Sequence, residues 1–137
     1  MNTIHLKVIT PKKVVREQDV VSVTVPAADG EITILAHHVN LFSLLKEGII
    51  TVRHDNTEDY MAIGGGYIET DGKNLNILVS RAYGQDEIDE NMTAKAIEDA
   101  QKLITEAKSD EERADATAVL RRSVIDMKLI KRKKRAA

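Results

Sequence analysis

Apolar residues alternate with polar ones in short runs up to Tyr83-Gly84-Gln85, and beyond that point they recur every three to four residues. The first spacing is the period of a half-buried strand and the second that of an amphipathic helix. Ile4, Leu6 and Val8 alternate with His5 and Lys7, and Val21, Val23 and Val25 alternate with Ser22 and Thr24. Residues 31–35, 49–52, 60–63, 67–70 and 75–79 are also short and rich in β-branched side chains, with turn pairs such as Asp29-Gly30, Asp55-Asn56 and Asp71-Gly72 between them. This spacing predicts an N-terminal β-sandwich or barrel of about ten short strands over residues 1–85.

Residues 86–137 predict an antiparallel two-helix hairpin with a basic tail. Asp89 is placed to cap a first helix whose inner face is Ile97, Ala100, Leu103 and Ile104, with Glu98, Asp99 and Lys102 toward water. Ser109 and Glu112 form an S-x-x-E capping box that starts a second helix after a few linking residues. The expected seam is small: Ala94, Ala96, Ala100 and Ala107 against Ala114, Ala116 and Ala118. At about 25 cal/mol per Å² of apolar surface such a seam holds weakly, which suits a movable arm. Leu120, Val124, Ile125, Met127 and Leu129 are left to pack on the sandwich or on a partner.

Charge changes the picture at the C-terminus. The net charge is −2 and residues 127–137 hold six basic side chains with no acid, so residues 1–126 carry −8. A cationic end on an acidic body favours an acidic partner: nucleic acid, anionic lipid or an acidic protein loop. One Phe, three Tyr and no Trp give almost no stacking platform for nucleic acid. A solvated helix terminus, favoured by the helix dipole, is the plain alternative. The chain has no cysteine, so it has neither disulfides nor thiolate chemistry, in keeping with a reducing compartment. Its start has no apolar signal-peptide core, and no apolar run approaches the ~18 residues of a membrane span.

Catalytic constellations are absent from the pattern. His5, His37, His38 and His54 lack metal-binding spacing. Gly64-Gly65-Gly66 has no Lys-Ser/Thr after it and fits a tight turn or close backbone approach better than a phosphate loop. Asp86, Glu87 and Asp89 suit a helix start. An enzyme is therefore not expected, and neither a metal nor a cofactor is expected.

Residues 25–41, VPAADGEITILAHHVNL, closely resemble the P-x-x-D-G-E-x-G-I-L-x-x-H-x-P-L segment of the ATP synthase epsilon subunit, with Thr33 in place of glycine and Asn40 in place of proline. Gly65-Gly66-Tyr67-Ile68-Glu69, Asn76-Ile77-Leu78 and Ile88-Asp89 match further family motifs in order. The resemblance implies a non-catalytic central-stalk subunit of a bacterial, proton-driven F-type synthase. Its partners would be the gamma subunit, the membrane c-ring and the alpha/beta catalytic head. It would lie peripherally on the cytoplasmic face of the cell membrane, touching the membrane only through the complex, with no nucleic acid partner. By position in the matching segment, Glu31 is a candidate for contact with the c-ring and His38 for contact with gamma.

The resemblance also implies that the hairpin inhibits ATP hydrolysis when extended. Arg121, Arg122, Lys128, Lys131 and Arg132 are candidates to meet an acidic loop of beta. Some members bind ATP through an I/L-D-x-x-R-A motif and second-helix arginines. Here Ile88, Asp89 and Arg122 match, but Met92 and Thr93 replace Arg-Ala, and Asp126 lies one turn after Arg122. Weak or absent ATP binding is expected, with Asp89 chiefly a cap. The alternative is an independent adaptor whose basic tail binds nucleic acid or anionic membrane.

Overall fold

The computed structural model describes residues 2–37, 40–132 and 135–136. These form two compact units that divide between Gly84 and Gln85, with Arg135–Ala136 counted in the first.

The first unit is built from β1 (Ile4–Ile9), β2 (Val14–Val20), β3 (Ser22–Ala27), β4 (Gly30–Leu35), β5 (Leu41–Leu45), β6 (Gly48–His54), β7 (Thr57–Ile63), β8 (Gly66–Thr70), β9 (Asn74–Val79) and β10 (Ala82–Gly84). A two-residue β11 (Arg135–Ala136) pairs with Glu58 and Thr57 of β7. One layer runs β10-β7-β6-β3-β4 and the other β5-β8-β9-β1-β2, and Ala27 of β3 pairs with Leu45 of β5 where the layers join. The predicted sandwich is thus the observed architecture. All pairings are antiparallel except that of β1 with β9.

The period-2 pattern explains the core. Ile4, Leu6, Val8, Val23, Val25, Ile50, Val52, Ile63, Ile68, Leu75 and Ile77 are almost fully buried. The Asp55-Asn56 pair closes the β6–β7 hairpin with φ of 47° and 60°, the left-handed backbone that a two-residue hairpin turn requires and that Asp and Asn tolerate best after glycine. Val21 departs from its expected strand position: it sits between β2 and β3, half-buried, while Ser22 takes a buried place.

The glycine triplet is a site of close approach. A Cβ on Gly66 would lie 2.0 Å from the Leu78 carbonyl oxygen, and one on Gly64 would lie 2.0 Å from Ser80 Oγ. Only glycine lets β8 pair so tightly with β9 there.

The second unit opens with a 3-10 turn at Gln85–Glu87, followed by α1 (Glu90–Glu106) and α2 (Asp110–Lys131). Asp89 caps α1, its carboxylate accepting from the Met92 amide at 2.9 Å. Ser109 Oγ accepts from the Glu112 amide at 3.1 Å. Glu112 reaches back to the Lys108 amide, one residue before the cap, to close a shifted capping box. The seam is narrower than the alanine count suggests. Thr93 and Ala100 on α1 and Ala116 and Ser123 on α2 are buried, Ala96, Ile97, Ile104 and Ala107 are half-buried, and Ala94, Ala114 and Ala118 are exposed. Alanines two positions from Ala116 point about 200° away on a 3.6-residue turn, so they cannot share its face. Leu103, expected inside, is 57% exposed.

Candidate functional site

The outer face of the β5-β8-β9 layer carries an apolar patch. Phe42 and Leu44 alternate outward from β5 and are 62% and 61% exposed. Register places Leu44 opposite Tyr67 and Phe42 opposite Glu69, and the Phe42 and Tyr67 rings lie 5.2 Å apart. Leu78, opposite Tyr67 on β9, extends the same face. Two large side chains held outward on a strand whose other residues pack inward cost solvation unless something covers them, which makes this face a candidate interaction surface. Leu35, at the end of β4, is a further exposed apolar side chain. None of these residues was a contact candidate from the sequence, where Leu35, Tyr67, Glu69 and Leu78 entered only as parts of predicted strands and family motifs. The available signal was LFSLL, a strand apolar on both faces.

Further along that face, charge replaces apolar surface. His5 of β1 has Nδ1 2.8 Å from Asp19 and Nε2 2.8 Å from Glu17, both on β2. A carboxylate at each nitrogen favours the charged form of the ring. Its pKa is raised first by the hydrogen bond to Glu17 and then by that to Asp19, and the Glu17 pKa is lowered by the same bond to His5.

A polar tie joins the two layers. Arg16 of β2 donates to Asp59 of β7 at 2.8 Å, and His54 Nε2 lies 2.5 Å from the same carboxylate oxygen. Arg53 of β6 bonds Glu58, Ser22 and Thr24.

Of the sequence-predicted residues, Glu31 stands exposed at the start of β4, opposite Pro26 and just after the turn at Gly30. His38 lies outside the described residues. In the hairpin, Arg121, Arg122, Lys128, Lys131 and Arg132 are all exposed. At about 100° per residue, Arg121 and Lys128 share a stripe of α2 while Arg122 and Lys131 lie to either side of it. Arg132 follows the helix with extended backbone. Asp89 serves as the α1 cap, and Thr93 turns its hydroxyl onto the Asp89 carbonyl at 2.8 Å and is buried.

The hairpin is polarised. α2 begins Asp110, Glu111, Glu112 and ends with Lys128 and Lys131 in its last turn, each end complementing the helix dipole. Between the helices runs an open groove of about 620 Å³, with Ala96, Leu103, Ala116 and Val119 among its apolar lining and Asp99, Glu106, Glu112 and Asp115 among its polar lining. Among the described residues no helix is long and apolar enough to cross a membrane.

A ten-strand sandwich followed by a capped helical hairpin defines the class, and residues 3–85 match the family model described as "ATP synthase, Delta/Epsilon chain, beta-sandwich domain". The chain is 36% identical over 105 residues to an ATP synthase epsilon chain of Campylobacter fetus, covering 76% of this chain and 81% of that one. Against the epsilon chain of Campylobacter curvus it is 34% identical over 126 residues, 91% of this chain and 98% of that one. A chain in the cryo-EM structure of Euglena gracilis mitochondrial ATP synthase, OSCP/F1/c-ring, shares the fold with a TM-score of 0.78 at 24% identity, over 88% of this chain and 76% of that one. The chain belongs to the ATP synthase epsilon chain family.

Proposed function

We propose that this protein is a non-catalytic rotor subunit of a proton-driven F-type ATP synthase, lying peripherally on the cytoplasmic face of a bacterial membrane. Its sandwich couples the c-ring to gamma, and its hairpin restrains ATP hydrolysis. The observation that carries the reading is the outward Phe42, Leu44 and Tyr67 patch on a cross-tied sandwich. A coupling part needs a face for its partner and a body that does not shear. The patch supplies an apolar seat for gamma, and Glu31 on β4 is retained as the candidate for the c-ring, with His38 as the further gamma candidate.

For the hairpin, the cationic end of α2 is proposed to meet an acidic loop of beta through Arg121, Arg122, Lys128, Lys131 and Arg132. Exposed pairs contribute about 0–1 kcal/mol each, so several act together. ATP is not a ligand in this reading. Asp89 is engaged as a cap, Met92 is exposed and apolar, and carboxylates in the interhelical groove repel a polyphosphate.

The test measures binding of the full chain to purified gamma. Phe42→Asp with Leu44→Asp is expected to weaken it at least tenfold while leaving circular dichroism unchanged, since both side chains are exposed. Unchanged affinity would remove the patch from the interface. Retention on heparin or anionic vesicles at physiological salt, with no binding to gamma, would instead support the adaptor reading. Deleting residues 128–137 is expected to relieve inhibition of hydrolysis in the assembled complex.

A further inference from the structure

We propose that Gln85 is a latch that closes the free end of the hairpin, and that releasing it is a step in hairpin opening; the regulatory part of this inference rests on the hydrolysis-control reading above. The Gln85 side-chain nitrogen lies 2.9 Å from the Leu129 carbonyl oxygen, 2.7 Å from that of Ile130 and 2.5 Å from that of Arg132. Its two hydrogens are shared among three acceptors more than forty residues away in sequence.

The last carbonyls of a helix have no partner within it, and most helices settle them with a glycine in left-handed conformation just past the end. No glycine follows α2 in the sequence. Arg132 follows with φ −80° and ψ 137°, and its amide donates to the Leu129 carbonyl at 3.2 Å. The missing cap comes from Gln85, whose backbone carbonyl also accepts from the Ile88 amide in the turn that leads into α1. One residue therefore holds the entrance of α1 and the exit of α2.

This contact bears on opening because little else on the seam is strong. Thr93, Ala100, Ala116 and Ser123 are buried along it, and small side chains bury little apolar surface; the one large buried side chain of the helices, Leu129, lies in the last turn of α2, where Gln85 binds its carbonyl. At the opposite end the helices are joined covalently through Ala107–Ser109, so separation must begin at the free end, where Gln85 sits.

The experiment is hydrogen exchange on the full chain, comparing wild type with Gln85→Leu, which keeps most of the bulk and loses the amide, and Gln85→Glu, which points oxygen at oxygen. Amides of residues 123–131 are expected to exchange about tenfold faster in both variants, the effect of losing one or two hydrogen bonds, with exchange in the sandwich unchanged. Unchanged exchange at residues 123–131 in both variants would overturn the latch. The same variants are then assembled into the synthase and hydrolysis is measured. Faster exchange with stronger inhibition supports the latch as a regulatory element. Faster exchange with unaltered hydrolysis leaves the latch standing as a structural contact and overturns its regulatory role.

Discussion

Arg16 and Asp59, 43 residues apart, form a 2.8 Å ion pair that joins edge strand β2 to β7 in the other layer. Both side chains are largely buried, and Asp59 also receives His54. Removing the carboxylate takes away the one charged partner that Arg16 and His54 share, while Arg16 keeps its bond to Gln18 at 2.6 Å. Asp59→Ala is expected to lower stability by about 2–3 kcal/mol, read as a lower urea midpoint at unchanged slope. A midpoint equal to wild type would show that the tie carries no net stability.

Gly66 and Gly84 are expected to respond oppositely to alanine. At Gly66 the new methyl would meet the Leu78 carbonyl at 2.0 Å, and backbone cannot swing aside. Gly66→Ala is expected to cost about 3 kcal/mol or more. Gly84 has nothing within 4 Å of its added Cβ, so Gly84→Ala is expected to be nearly neutral. Thermal melts of the two variants check the contrast.

The strands that escape the sequence pattern escape it for physical reasons. β2, VVREQDV, pairs among the described residues with β1 alone and shows much of its surface to water, so polar residues fill it and the alternation fades. β5 fails in the opposite sense, because Phe42 and Leu44 are apolar on the outer face as well. Both misses fall where the outer surface of the sandwich departs from plain alternation: a charged edge and an exposed apolar patch. Caps were legible because Asp89 and Ser109 act within three residues of themselves. The role of Gln85 was hidden because its partners are long-range backbone carbonyls, which no side-chain pattern reports.

Stability should show a pH dependence from His5 and Glu17. The His5 pKa lies above its ordinary 6.5, so its contribution is fully present below about 6.5 and is lost as pH rises through the folded value. The Glu17 pKa lies below its ordinary 4.5, so its contribution is present above about 4.5 and is lost as pH falls through the folded value. Both act together between about pH 4.5 and 6.5. The stability difference between wild type and His5→Gln is expected to be largest in that window and to shrink on either side. A difference that is flat across pH would count against the clamp.

Ser109→Ala removes the α2 cap and is expected to cost the hairpin about 1 kcal/mol. The readout is faster amide exchange in the first turn of α2 with unchanged exchange in β6 and β7.

α2 spans 22 residues, about 33 Å, with three acids at its start and two lysines in its last turn. Such a rod is a long electric dipole. In the non-uniform potential of a large assembly it experiences a torque before any atom touches, which sets its heading and tells its two ends apart at a distance. Added salt shortens the reach of that torque to about 8 Å at physiological ionic strength, so on the proposed reading of the hairpin as an arm its orientation would respond to the ionic medium even where its final contacts would not.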